Sequence, residues 1–165
     1  MTYRFLDSPV GGLLLARDEA GLRLIHFQQG RHPTRPAAGW RRDDEAFDDV
    51  ISQLEEYFEG KRRRFELRLA PEGTPFQRRV WQALLDIPYG KTTSYGELAS
   101  RIGQRSASRA VGLANGSNPL PIVIPCHRVI GSNGKLTGYG GGVAIKQRLL
   151  TLERGGRSLF DDRRS

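Results

Sequence analysis

The sequence predicts two unlike parts, a small α/β domain followed by a mainly α-helical domain that contains a helix-turn-helix. Three observations support this fold class: short strand-like runs separated by turns fill the first thirty residues, the pattern turns helical after residues 70–73, and two capping signals for helices follow. With 165 residues, the chain is long enough for two small domains. We therefore predict an N-terminal domain over residues 1–73, a C-terminal domain over 74–156 and a polar tail over 157–165.

The predicted N-terminal domain is a strand meander covered by one helix. Strands are predicted over residues 3–6, 13–17 and 22–27, with turns between them, and a Pro- and Gly-rich loop over 31–39. Apolar residues then recur at helical spacing up to a stop at Gly60, and they are Phe47, Val50, Ile51, Leu54, Tyr57 and Phe58. A further strand is expected near residues 65–69. No residue pattern in this domain indicates a catalytic role.

The predicted C-terminal domain opens with a strongly marked helix. Thr74, Pro75 and Gln77 combine an N-cap, a proline at the first helical position and a capping-box glutamine. Its predicted apolar face consists of Phe76, Val80, Trp81, Leu84 and Leu85. Ser94 and Glu97 form a second capping box, which starts a short helix to about residue 102, and another helix is predicted over about 106–116. Two short helices joined by a tight glycine turn indicate a helix-turn-helix.

The amino-acid composition limits which ligands and reactive groups the protein can have. The formal net charge of +8, carried mostly by arginine, favours binding to a polyanion, although it could also serve solubility alone. A single cysteine excludes an internal disulfide framework, and with three histidines it also excludes a cysteine-rich zinc site. We therefore expect neither a metal nor a cofactor. The lone thiol is either reactive or an inert part of the core.

The helix predicted over residues 106–116 is crowded with small residues. In a helix-turn-helix the second helix meets the DNA duplex, and Arg109 near its start could reach into a groove. Close packing between two helices explains the small residues equally well. The pattern of this helix by itself therefore leaves both interpretations open.

The apolar run 122–124 predicts a buried strand that ends beside a thiol, in the segment Pro125-Cys126-His127-Arg128-Val129. A thiol reacts as the thiolate, and adjacent imidazole and guanidinium groups would lower its pKa. An isolated cysteine in an apolar strand is more often inert, but the neighbouring base and cation favour a nucleophile.

This five-residue segment resembles the active-site signature of the O6-alkylguanine-DNA alkyltransferases. The resemblance covers at least residues 74–153 and includes the stretch 108–112, Asn118-Pro119 and the glycine-rich loop 137–142. It implies a ribonuclease-H-like N-terminal domain and a winged-helix-like helix-turn-helix in the C-terminal domain. It also implies DNA repair by irreversible, single-turnover transfer of an alkyl group from O6-alkylguanine, and from O4-alkylthymine, to the protein's own cysteine.

The resemblance assigns a role to each matching residue. Cys126 would accept the alkyl group, His127 would take its proton through a water, and Glu153 would orient His127. Glu153 is also unusual by itself, because it would lie in the last turn of a helix that we predict over about residues 143–153. A carboxylate there opposes the helix dipole unless a partner compensates it. Tyr95 would protonate guanine N3 as the alkyl group leaves, and Asn118 would shape the turn before the cysteine.

The remaining assignments concern DNA. Arg109 would enter the base stack after the damaged nucleotide has been rotated out, and further DNA contacts are predicted at Ser106, Ala110, Gly112, Asn115 and Arg128. The base pocket would be lined by Val129, Tyr139, Gly140 and Gly141. The expected partner is alkylated duplex DNA, bound by a monomer whose cooperativity is open. Without a long apolar run or secretory signal, we expect a cytoplasmic protein with no membrane contact.

Three alternative functions are compatible with parts of this pattern. A lesion-binding module without transfer resembles the same family but lacks the acceptor thiol. A thiol hydrolase would use Cys126 and His127 but leaves the basic charge and the helix-turn-helix unexplained. A DNA-binding regulator would have no use for the Pro-Cys-His-Arg segment.

Overall fold

The N-terminal part of the protein is a four-stranded sheet covered by one helix. The computed structural model describes residues 1–29 and 33–161. Strands β1 (Thr2–Ser8), β2 (Gly11–Asp18) and β3 (Gly21–Phe27) form the predicted antiparallel meander. A two-residue strand, β4 (Arg41–Arg42), pairs in parallel with β1 and gives the order β3-β2-β1-β4. Strand β4 is too short to leave a pattern in the sequence and was not predicted.

Helix α1 (Asp48–Phe58) covers the sheet, as predicted, after a short 3-10 turn over Asp44–Phe47. Its fully or almost fully buried residues are Val50, Leu54, Tyr57 and Phe58. Within the predicted loop 31–39, residues 31 and 32 lie outside the described residues, and 33–39 form neither helix nor strand. The strand predicted over 65–69 is wrong: this segment makes a single bridge, Leu69 to Leu22, because it meets the sheet only at the edge of β3.

The C-terminal part opens with helix α2 (Pro75–Leu84). The helix starts at the predicted capping box, in which Thr74 Oγ1 accepts from the Gln77 amide and Gln77 Oε1 accepts from the Thr74 amide. Of its predicted apolar face, Val80, Trp81 and Leu84 are buried and Phe76 is partly buried. Leu85 is 40% exposed because it follows the last helical turn. The predicted boundary between residues 73 and 74 stays a prediction.

Helices α3 (Tyr95–Arg101) and α4 (Ser108–Gly116) form the predicted helix pair. Ser94 caps α3 through the Glu97 amide, but the Glu97 carboxylate accepts from Thr93 Oγ1, so only half of the second capping box forms. Strand β5 (Thr93–Ser94) pairs in parallel with β6 (Val129–Ile130). The wing of a winged helix stays a prediction.

The last helix is α5 (Val143–Glu153), at the bounds predicted from the sequence. The predicted polar tail begins as a packed segment, because Leu159 is buried and its amide donates to the carbonyl of Phe58 in α1. Residues 162–165 of that tail lie outside the described residues. Among the described residues, no helix is both long and apolar enough to cross a membrane.

Candidate active site

Cys126 lies in a tight turn rather than at the end of a strand. It opens a 3-10 turn over Cys126–Arg128, and the preceding residues 121–124 form turns and a bend, so the strand predicted over 122–124 is wrong. Ile122 has a φ of 76°, a left-handed conformation that a β-branched residue rarely adopts. The Asn118 side chain holds this turn by accepting from the Leu120 amide and donating to the Ile124 carbonyl. Asn118 thus shapes the turn before Cys126. Its orienting role in the reaction stays a prediction.

The Cys126 thiol is protonated at neutral pH in this structure. The residue is only 6% exposed, and burial raises the pKa of the thiol to about 11, although the Asn118 amide and the Lys146 ammonium oppose the rise. From the sequence, His127 and Arg128 were expected to lower this pKa. That expectation is wrong, because both side chains point to Glu153 instead of the thiol. A base must therefore remove the proton before the sulfur can react.

Glu153 collects the polar side chains around the cysteine. His127 Nε2 donates to its Oε2 at 2.6 Å, which is the predicted contact between these two residues. Arg128 donates from Nε to Oε1 at 2.7 Å and from Nη2 to Oε2 at 3.1 Å, and its Nη1 donates to the Ile87 carbonyl. These partners compensate a carboxylate that closes α5, as the helix-dipole argument requires.

The protonation states in this network follow from burial and charge. Burial raises the pKa of Glu153, but hydrogen bonds and charges from His127 and Arg128 outweigh it and lower the pKa to about 2. Burial lowers the pKa of His127 below its ordinary value, even though Glu153 favours the charged ring. His127 Nδ1 is buried and has no hydrogen-bond partner among the described residues. With Nε2 donating to Glu153, Nδ1 is the basic nitrogen of a neutral imidazole.

Lys146, which was not predicted from the sequence, holds the surrounding backbone together with Thr137 at the start of the glycine-rich loop. Lys146 is fully buried on α5, and its ammonium donates to the Val129 carbonyl at 2.7 Å and lies 3.5 Å from both oxygens of Thr137. The Thr137 hydroxyl also hydrogen-bonds to the Tyr95 hydroxyl. Lys146 therefore ties β6 and the glycine-rich loop to the side of the thiol. A lysine at an inward position of a helix was the only sequence signal for it.

The predicted pocket residues lie around this loop. Val129 is buried in β6, and its backbone carbonyl accepts the hydrogen bond from Lys146. Tyr139 lies edge-on to the His127 ring, at a centroid distance of 6.5 Å, and packs on Phe27 of β3. A Cβ added to Gly141 would lie 3.0 Å from the Phe27 ring, whereas one on Gly140 would meet no atom within 4 Å. Gly140 thus borders open space.

The predicted DNA contacts separate into two groups. Arg109 and Ala110 are exposed in the first turn of α4, and Ser106 is exposed two residues before the helix begins. Gly112 is partly exposed close to the Tyr95 ring. The predicted DNA contacts of Asn115 and Arg128 are not supported, because both side chains are buried. Asn115 donates to the Cys126 carbonyl at 3.3 Å, and Arg128 is held by Glu153.

A buried thiol that is followed along the chain by a neutral imidazole, together with a helix pair that exposes Arg109, indicates the class of thiol-dependent proteins that carry a helix pair suited to binding DNA. More particularly, the chain belongs to the 6-O-methylguanine DNA methyltransferase family. The ribonuclease-like domain of that family matches residues 1–71, and its DNA binding domain matches residues 75–155. The family predicted from the sequence is thereby confirmed.

Relatives match over nearly the whole chain. The methylated-DNA–protein-cysteine methyltransferase of Methanosarcina acetivorans is 52% identical over 153 residues, covering 93% of this chain and 98% of that protein. The one of Mycolicibacterium paratuberculosis is 54% identical over 92% of each chain. The crystal structure of Mycobacterium tuberculosis OGT in complex with DNA matches with a TM-score of 0.89 and 48% identity, covering 98% of this chain and all of that one.

Proposed function

We propose that this protein repairs alkylated DNA by transferring an alkyl group from the O6 atom of guanine to Cys126. Its relatives are methylated-DNA–protein-cysteine methyltransferases, and Cys126 is the only cysteine in the sequence. The observation that carries the assignment is the turn that joins a buried thiol to His127, whose other nitrogen is held by Glu153. This arrangement provides a nucleophile and a base in consecutive residues.

The proposed reaction is an in-line displacement. The Cys126 proton passes to His127 Nδ1 through a water, and the sulfur forms a bond to the alkyl carbon as the bond from that carbon to O6 breaks. The electron pair of the broken bond returns to guanine, which takes a proton at N3 from the Tyr95 hydroxyl. The product is a thioether, which water does not cleave, so each molecule acts once.

The damaged nucleotide has to leave the duplex in this scheme, because the thiol of Cys126, a residue that is only 6% exposed, cannot reach a stacked base. Helix α4 is proposed to lie in the minor groove, where small exposed residues permit close approach. Arg109 would fill the gap left in the stack. Few base contacts would then be made, so binding would depend little on sequence.

Three finer expectations belong to the same proposal. O4-alkylthymine is a second substrate, because it presents an alkylated oxygen in a similar position. The protein acts as a monomer, which sedimentation with and without DNA tests, and it acts in the cytoplasm, which imaging of the tagged protein tests. Cooperativity along the duplex is read from the same sedimentation experiment.

The test is the intact mass of the protein after incubation with a duplex that contains one O6-methylguanine. We expect a stoichiometric gain of one methylene, located by peptide mapping on the Cys126 peptide and absent in Cys126→Ser. If the mass stayed unchanged while the protein held methylated DNA, transfer would be refuted in favour of lesion binding. Repeated turnover would indicate a hydrolase, and lesion-independent binding to one sequence would indicate a regulator.

A further inference from the structure

One contact to the proposed active site comes from the N-terminal domain. The Tyr57 hydroxyl, on α1, donates to Oε2 of Glu153 at 2.5 Å. Glu153 stands 96 residues further along the chain, at the end of α5. No chemistry was predicted for the N-terminal domain from its sequence, yet this hydrogen bond links that domain directly to the residue that orients His127.

Tyr57 donates to Oε2 of Glu153, which is the same oxygen that accepts from His127. Oε2 of Glu153 accepts from Tyr57, from His127 Nε2 and from Arg128 Nη2, whereas Oε1 accepts from Arg128 Nε and, at 3.5 Å, from the Gly90 amide. Arg128 fixes the plane of the carboxylate by binding both oxygens. Tyr57 adds a donor from the opposite domain, so the position of Oε2 depends on how the two domains pack.

Tyr57 is itself held firmly. Its side chain is fully buried, and its ring packs on Phe58, Phe65 and Tyr89 at centroid distances of 5.7, 5.5 and 6.3 Å. Burial and the charge of Glu153 raise the pKa of Tyr57 well above its ordinary value, so the hydroxyl keeps its proton and acts as a donor. A rigid ring with a permanent donor is suited to fixing an oxygen atom in place.

We propose that Tyr57 is a positioning residue for alkyl transfer, and that the N-terminal domain completes the active site through its hydroxyl. The inference rests on the proposed function, since it assigns a residue to that reaction. Tyr57 does not touch DNA or the thiol in this scheme. It acts through Glu153 on the orientation and basicity of His127.

The expected effects of Tyr57→Phe result from the lost donor. Oε2 would keep two donors but gain freedom to move, so the transfer rate constant at saturating DNA should fall by about 10-fold. This is the lower end of the losses caused by removing the partner that orients a metal-binding histidine. Oε2 would also carry more negative charge, which stabilises the imidazolium and raises the pKa of His127. The limb of the rate profile that requires neutral His127 should therefore move to higher pH, while DNA affinity stays unchanged.

The experiment measures single-turnover methyl transfer against DNA concentration and pH for wild type, Tyr57→Phe and Tyr89→Phe. Tyr89→Phe is the matched control, because it removes a hydroxyl from the same aromatic cluster and leaves the Glu153 contacts intact. Nitrogen-15 histidine spectra follow the Nε2–H signal of His127, which is assigned by its loss in His127→Gln. Thermal unfolding of each variant sets a common assay temperature below its transition.

A slower Tyr57→Phe with a shifted pH limb and a shifted His127 signal, together with a wild-type-like Tyr89→Phe, would support the inference. Equal rates for the two variants would overturn it. A slower Tyr57→Phe with an unchanged limb and signal would also overturn it, because the loss would then be structural. If the wild type transferred no methyl group, the proposed function would fail first, and the inference would fall with it.

Discussion

Replacing Arg128 with methionine tests whether this arginine of the Pro-Cys-His-Arg segment serves the fold or the DNA. Its side chain is 8% exposed, and that of its partner Glu153 is 1% exposed. Methionine keeps much of the apolar volume but removes three hydrogen bonds, two to Glu153 and one to the Ile87 carbonyl. The buried carboxylate then retains only His127 and Tyr57 as strong partners.

The size of the effect comes from leaving one member of a buried ion pair behind. Such a change costs about 3–5 kcal/mol, because the remaining charge stays out of water without its counterion. A domain of ordinary stability has about 5–15 kcal/mol, so Arg128→Met should fold but unfold at clearly lower urea. The pKa of Glu153 and that of His127 should both rise, because the Arg128 charge lowers each of them.

The matched control is Arg42→Met. Arg42 makes the same two-pronged contact, to Asp44 at 3.0 and 3.2 Å, but at the surface, where water screens the pair. Urea unfolding should therefore show a much smaller loss for Arg42→Met than for Arg128→Met. DNA affinity measured against salt should keep its slope in Arg128→Met, whereas loss of a phosphate contact would reduce the slope by about 0.9. Equal stability of the two variants, or a reduced slope for Arg128→Met, would refute the reasoning.

Three further predictions concern residues around the same site. The pKa of Glu153, about 2, lies below its ordinary 4.5, so its stabilisation is complete above about pH 5 and is lost as the pH falls through 4.5 toward 2. Urea unfolding should show a loss of about 3 kcal/mol over that range, and Glu153→Gln should lack it. Lys146→Met should raise the thiol pKa further above 11, so the pH midpoint for thiol alkylation by iodoacetamide should move upward; an unchanged midpoint would contradict the role given to Lys146. Gly141→Ala should cost about 1–3 kcal/mol in thermal unfolding, because its methyl group would lie 3.0 Å from the Phe27 ring, while Gly140→Ala, which faces open space, should cost little; similar values for both would contradict the packing of the loop.

Features with a local cause were predictable from the sequence. The start of α2 depends on Thr74, Pro75 and Gln77, which lie within four residues, and both hydrogen bonds of its capping box form. The bounds of α5 were also predicted correctly. The run 122–124 failed because apolar residues encode burial but not backbone conformation. The Asn118 side chain donates to the Ile124 carbonyl, and Ile122 adopts a left-handed φ that no propensity favours.

The candidate site was predictable only in part, because its contacts span the chain. The resemblance supplied the pair His127 and Glu153, and the structure brings them to 2.6 Å. Tyr57 could not be found from the sequence, since it looks like any other apolar position of an amphipathic helix. Lys146 could not be found either, because it is fully buried and lysine is among the residues least often buried completely. Arg128 was misassigned because adjacency to Cys126 says nothing about which way its side chain turns.

The charges that form during the proposed reaction explain why the thiol and the imidazole can both be buried. Before transfer both groups are neutral, because burial raises the pKa of Cys126 and lowers that of His127. Moving the proton creates a thiolate and an imidazolium in a poorly solvated site, which is costly unless opposite charges are already in place. Lys146 provides the positive charge that favours the thiolate, and Glu153 accepts from the imidazolium. Since each new charge meets a fixed partner, the protein can keep an unreactive thiol at rest and still form the nucleophile when the alkylated base arrives.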